Sequence, residues 1–300
     1  MDTYLQFGAF AGKKLHLGVT GSIAAYKALD LLRAWQDVGI KVSVTLTEAA
    51  KHFVAPLSFE ALGASPVYRE MFAPGRDALA HLEPGGEAGV MVIAPASAAT
   101  MSRLAHGGAD EMLCAQALAF AGPIVLAPAM NPRMWANAAT QNNWRTLLGR
   151  GYTGVAPCSG RTACLEVGEG RLADLREIYL TALRCLAGQD LAGRNVLITL
   201  GPTREFWDGV RFLSNPSTGI MGAALAVAAW LRGAKVTAIC GPGVPWLPQD
   251  IERVDVVSAR EMLVAGEEYF SAADYACFCA AVADFRPAVS SGAKLKKTEL

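Results

Sequence analysis

No run of like charge marks this chain: 27 lysines and arginines offset 27 aspartates and glutamates among 300 residues. A nucleic-acid or anionic-membrane surface needs a basic stripe, so neither partner is expected. Metal chemistry is as thinly provided for. The 4 histidines are scattered, and the 7 cysteines are odd in number and without Cys-x-x-Cys spacing, which fits neither a zinc site nor a disulfide framework. The Gly-x-Gly-x-x-Gly fingerprint is missing, which argues against an ordinary NAD site. The amino terminus, with Asp2 and a short apolar stretch before Lys13-Lys14, lacks the basic start and long apolar core of a signal peptide, so a cytoplasmic protein is expected. One uncharged run, Met112 to Pro132, is long enough to cross a bilayer. Gly122-Pro123 and Pro128 cut it, and a helix ending near Ala121 followed by a buried parallel strand explains the same residues.

The chain is 52% hydrophobic and long enough for about two domains. From Lys14, apolar strand candidates at Leu15 to Thr20, Val42 to Leu46, Val90 to Ala94, Ile124 to Ala127 and Gly154 to Ala156 alternate with helical stretches. That rhythm predicts a parallel sheet flanked by helices. Asp174 to Leu186 reads as a closing helix and Ala187 to Asp190 as a short linker. The rhythm then restarts, with strands expected at Val196 to Leu200, Val236 to Cys240, Val254 to Val257 and Tyr275 to Ala280, and a helix from about Thr218 to Arg232. Cys277 and Cys279 alternate on the last strand and are expected to be buried thiols on one face.

The strand ends carry the chemistry. Pro128-Ala129-Met130-Asn131-Pro132-Arg133-Met134-Trp135 follows one strand and opens a helix, placing Asn131 where open α/β sheets bind ligands. Its amide suits a carboxylate, having donors but no charge. An Asn N-cap ahead of a first-turn proline explains the residue equally well. Gly21-Ser22 lies where the first strand hands over to a helix, so backbone N–H groups and a hydroxyl converge on an anion, although such turns also serve packing alone. Thr47 ends the second strand and either caps a helix or meets the same phosphate; Ser97-Ala98-Ala99-Thr100 adds hydroxyls at the same edge. His16, His52 and His106 read as structural or exposed. The glycines of Ser159 to Leu172 suggest a mobile flap, with Cys164 inside it.

Together these segments carry a resemblance. PAMNPRMW resembles the PxMNxxMW signature of the flavin-containing cysteine decarboxylases, and Gly21 to Lys27 and Ser159 to Leu172 match two further parts of that pattern in order. Beyond residue 190, Gly201-Pro202-Thr203-Arg204-Glu205, Ser214-Asn215-Pro216-Ser217-Thr218-Gly219 and Ala280-Ala281-Val282-Ala283-Asp284 resemble phosphopantothenate–cysteine ligases. The resemblance implies a flavodoxin-like or Rossmann-like decarboxylase domain over residues 12–188 and the first part of a second Rossmann-like ligase domain over 191–300, since ligases of the family continue beyond the point where this chain stops. It implies coenzyme A synthesis: decarboxylation of 4'-phosphopantothenoylcysteine to 4'-phosphopantetheine, with phosphopantothenate, cysteine, CTP and Mg2+ for the ligase step.

The resemblance also assigns residues. FMN would be cradled by Gly21, Ser22, Ile23, Thr47, Ser97, Ala98, Ala99, Thr100 and Ala129, although Ala99 stands where the family has Asn. A cysteine carboxylate has no electron sink, and the flavin supplies one by oxidising the thiol carbon, so that CO2 leaves and an ene-thiol is then reduced. In the family Asn131 orients the carboxylate, Cys164 returns a proton, and His81 assists the thiol or carboxylate steps. Leu165 stands where relatives have glycine. In the second half Asn215, Ala280, Asp284 and Lys294 match nucleotide-site positions, whereas Ile220 replaces a basic residue. Flavin sites of the family form between subunits of a trimer, so a homo-oligomer is implied. A flavin prenyltransferase would share the first glycine turn but not PAMNPRMW or the second half, and a non-catalytic FMN-binding subunit would not need His81, Asn131 and Cys164 together.

Overall fold

The computed structural model describes residues 1–71, 79–161 and 163–295. The chain divides into two compact units, Gln6–Leu186 and Ala187–Leu300, the second joined by Asp2–Leu5. Asp190, expected in a linker, belongs to the second unit, where it accepts a 2.9 Å hydrogen bond from Arg232 Nε.

In the first unit the strands are β1 (Lys14–Val19), β2 (Lys41–Leu46), β3 (Val67–Tyr68), β4 (Val90–Ala96), β5 (Ile124–Pro128) and β6 (Thr153–Gly154). Among the described residues they form one parallel sheet in the order β3-β2-β1-β4-β5-β6. The intervening helices are α1 (Lys27–Asp37), α2 (Glu48–Lys51), α3 (Pro56–Ala61), α4 (Glu83–Glu87), α5 (Ala98–His106), α6 (Met112–Ala119), α7 (Pro132–Ala136), α8 (Ala138–Gly149) and α9 (Leu175–Leu186). Every residue of β4 and of β5 is buried, the pattern of central strands covered by helices on both faces. The uncharged run resolves into α6 and β5, and no helix among the described residues is long and apolar enough to cross a membrane.

The order reverses between β1 and β4, and that switch point opens a crevice outside the carboxyl ends of the strands. Thr20 ties the two ends together: its hydroxyl donates to Pro95 O at 2.7 Å and accepts from Ser97 N–H at 2.8 Å. The glycine-rich segment expected to form a flap is an antiparallel hairpin, β7 (Cys158–Arg161) and β8 (Val167–Arg171). Thr162, between its strands, lies outside the described residues.

The second unit contains β9 (Asn195–Leu200), a short hairpin of β10 (Arg204–Phe206) and β11 (Phe212–Ser214), α10 (Ile220–Leu231), β12 (Lys235–Cys240), β13 (Glu252–Asp255), α11 (Ala259–Phe270) and β14 (Tyr275–Phe278). Its parallel sheet has the order β13-β12-β9-β14, the same reversal pattern on a smaller scale. Cys277 and Cys279 do share a face, with sulfurs 3.4 Å apart, but they are half-buried rather than enclosed. The strand leaves them partly open because β14 is the outer strand of its sheet among the described residues.

His16 of β1 is fully buried, 2.8 Å from Ser43 Oγ through Nδ1 and 3.0 Å from Thr45 Oγ1 through Nε2. Burial penalises the imidazolium and lowers its pKa from 6.5 to about 3. The unfolded chain binds a proton in that window and the folded chain does not, so stability is lost as pH falls below 6.5. The urea midpoint of the first unit should therefore drop between about pH 7 and about pH 5, with a slope of at most about 1.4 kcal/mol per pH unit from this group. His16→Gln should flatten that dependence; parallel curves for the two proteins would contradict the assignment.

Candidate active site

A cavity of about 460 Å³ lies at the carboxyl edge of the first sheet, within the size range of small-molecule sites. Its walls come from the turn after β1 (Gly21, Ser22, Ile23), the start of α5 (Ser97, Ala98), the end of β5 (Ala129, Asn131) and the β7–β8 hairpin (Cys164, Arg171). These segments meet because parallel strands all deliver their carboxyl ends to one edge. Gly21 is required there: a Cβ would stand 2.5 Å from the Ala49 Cβ. Ser22 Oγ accepts from Ala24 N–H at 3.3 Å and reaches Ala129 O at 3.5 Å, so it caps the following turn and bridges two strand ends.

Asn131 answers to both sequence readings at once. Its side-chain oxygen accepts from Arg133 N–H at 2.8 Å, capping α7, while its Nδ2 donates to Cys164 Sγ at 3.2 Å and to Glu166 Oε2 at 3.0 Å. The hairpin approaches this closely through Gly170, whose φ of 152° is left-handed territory and whose carbonyl accepts from Met130 N–H at 2.9 Å. A Cβ on Gly170 would fall 2.4 Å from Met130 O. Leu165, beside Cys164, has φ 66°, a conformation that glycine adopts freely and leucine does not. The residue that stands in place of the family's glycine is thus strained, at a cost of about 1–3 kcal/mol.

Other expected residues lie elsewhere. Thr47 borders a different cavity, among Glu48, Arg69 and Glu111, and its hydroxyl accepts from Ala50 N–H at 3.2 Å to cap α2. Ala99 and Thr100 follow Ala98 into α5 and do not border the cavity; Thr100 is buried and its N–H meets the capping Ser97 hydroxyl at 3.3 Å. His81 is half-buried just ahead of α4 and is not among the cavity's lining residues. Sequence reasoning assigned no role to Thr20, Tyr26, Lys27, Arg161 and Arg171. The last four border the cavity and supply three cations and an exposed ring; Tyr26 and Lys27 stood inside a quoted motif, whereas nothing in the sequence marked Thr20.

In the second unit Asn215 Nδ2 donates to Val282 O at 2.9 Å, and Thr203 Oγ1 accepts from Ala283 N–H at 2.9 Å, which fixes the segment after β14. Asp284 and Lys294 are exposed, and Lys296 and Lys297 lie outside the described residues. A second cavity, about 630 Å³, touches Ala280 but is lined mainly by apolar groups of α11 and β14 and includes none of Asn215, Asp284 or Lys294. The structure does not gather the four nucleotide positions into one cavity.

Two family models match: "Flavoprotein" over residues 9–185 and "DNA/pantothenate metabolism flavoprotein C-terminal domain" over 191–300. A structure of a PPC decarboxylase mutant complexed with pantothenoylaminoethenethiol is 30% identical, with a TM-score of 0.50 over 56% of this chain and 95% of that one. The FMN-dependent cysteine decarboxylase SpaF is 33% identical, with a TM-score of 0.50 over 59% and 99%. Fold and site therefore define a flavoprotein of the doubly wound α/β class. The coenzyme A biosynthesis bifunctional protein CoaBC of Vibrio cholerae is 40% identical over 291 residues, covering 97% of this chain and 73% of that protein. Its counterpart in Escherichia coli K12 is 42% identical over 291 residues, covering 96% and 72%. The chain belongs to this family of bifunctional coenzyme A biosynthesis proteins.

Because Gly170 brings the hairpin onto the Asn131 turn, Gly170→Ala should lower the first unit's stability by about 1–3 kcal/mol in thermal unfolding. An unchanged midpoint would show that the hairpin absorbs the methyl group without shifting.

Proposed function

We propose that the first unit is an FMN-dependent decarboxylase that converts 4'-phosphopantothenoylcysteine to 4'-phosphopantetheine. The observation that carries the reading is the meeting of Asn131 and Cys164 at 3.2 Å in a cavity at the sheet's switch point. The residues fit FMN: the crevice is bounded by close-packed turns at Gly21 and Ala129, it presents Lys27, Arg161 and Arg171 to a phosphate, and Ile23, Tyr26 and Met134 expose apolar surface for a ring. When bound, FMN supplies the electron sink that a cysteine carboxylate lacks. Asn131 presents N–H donors to the substrate carboxylate. Cys164 Sγ, at the exposed hairpin, returns a proton to the substrate carbon after CO2 has left.

His81 lies off the cavity of its own chain, and we infer that it acts from a neighbouring copy in a homo-oligomer, assisting the thiol or carboxylate step. For the second unit, CTP- and Mg2+-dependent ligation of phosphopantothenate to cysteine is the activity that the resemblance implies. There Asn215 is engaged by the Val282 carbonyl, and the four nucleotide positions do not share a cavity. Decarboxylation is therefore the activity proposed for this chain. A flavin prenyltransferase or a non-catalytic flavin-binding subunit has no use for the Asn131–Cys164 pair.

The FMN-loaded protein should release CO2 from phosphopantothenoylcysteine. Asn131→Asp should abolish release, because a second carboxylate repels the substrate's. His81→Asn should do the same, and mixed oligomers of the two variants should recover part of the activity, since each intact residue would then serve a shared site. No release by the wild-type protein contradicts the reaction; no recovery on mixing contradicts the inter-subunit role of His81.

A further inference from the structure

Asn131 has one carbonyl acceptor and two amide hydrogens. The carbonyl is engaged by Arg133 N–H, and the two hydrogens face Cys164 Sγ and Glu166 Oε2. A substrate carboxylate that takes a hydrogen bond from this amide must therefore displace something, and the group already there is itself a carboxylate. The other Glu166 oxygen, Oε1, receives Arg133 Nη2 at 2.5 Å. One carboxylate thus bridges two donors that reach it from the same turn, a neutral amide and a guanidinium, with one oxygen on each.

We propose that Asn131 and Arg133 together form the subsite for the substrate's carboxylate, and that Glu166 fills it from within the chain until substrate arrives. Arg133 is then a specificity-determining residue, because a guanidinium distinguishes an ionised carboxylate from a neutral group of the same shape. Glu166 is a displaceable occupant. The pair is suited to exchange: the Arg133 side chain is 83% exposed and that of Glu166 31%, and ion pairs in such positions are weak in water. Glu166 also lies two residues from Cys164, across the strained Leu165.

The inference rests on the substrate reading given above, and binding and turnover test the two separately. The alanine analogue of the substrate, phosphopantothenoylalanine, keeps the carboxylate and lacks the thiol, so it binds without reacting; its carboxamide serves as the neutral control. Calorimetric titration of the FMN-loaded protein should show preference for the carboxylate form. Arg133→Ala should weaken that form by about threefold to tenfold, the range for the net contribution of one hydrogen bond, and leave the carboxamide within about twofold. Glu166→Ala, and the shape-preserving Glu166→Gln in the same direction, should strengthen the carboxylate form by a comparable factor. Weakening by both Glu166 variants, or equal effects of Arg133→Ala on the two ligands, would overturn the proposal. Lack of CO2 release from the true substrate, with these selectivities intact, would instead sink the reaction and leave the subsite standing.

Discussion

The side chain of Asn131, just beyond the buried β5, has its oxygen committed to the backbone of α7, which fixes its amide hydrogens in direction. Rotation about the last bond would forfeit the cap, worth about 1 kcal/mol, so the N–H donors stay aimed at the hairpin. The arrangement needs a rigid platform and a close neighbour. Fully buried β5 supplies the first, and Gly170, with no Cβ to strike Met130 O, allows the second. Cap and ligand contact, alternatives when only the sequence is considered, are two ends of one amide.

The platform depends in turn on the strand order. Reversal between β1 and β4 opens the crevice, and the Thr20 hydroxyl bridges Pro95 and Ser97 across it, so the turns that bound the cavity are held by a buried side chain as well as by the sheet ladder. Hydrogen bonds of this kind contribute about 1 kcal/mol each, but leaving Ser97 N–H unpaired would cost more than the bond contributes.

Most of the regular elements were legible because buried parallel strands carry continuous apolar runs and helices carry a different period. The residues that line the crevice were legible where a turn motif marked them, as at Gly21, Ser97, Asn131 and Cys164. Thr20 was not, because nothing in a strand-end threonine announces a partner 75 residues away. The β7–β8 hairpin was read only as a flap, without its strands, because its alternating small residues provide no hydrophobic face. Thr47, Ala99 and Thr100 were placed in the cradle by resemblance; Thr47 caps α2, and the N–H of Thr100 meets the Ser97 cap of α5. His81 follows residues 72–78, which lie outside the described residues, and its neighbour Ala80 packs with Tyr68 and Met112 away from the cavity. The contribution proposed for it from another copy of the chain has no local pattern to announce it.

The central claim is that Cys164, beside the Asn131 amide, closes the reaction by returning a proton. Anaerobic mixing of FMN-loaded Cys164→Ser with phosphopantothenoylcysteine, followed by mass spectrometry and flavin absorbance, tests it most directly. The account predicts CO2 release, accumulation of the ene-thiol product and flavin that stays reduced. Ordinary turnover to phosphopantetheine with oxidised flavin would contradict it.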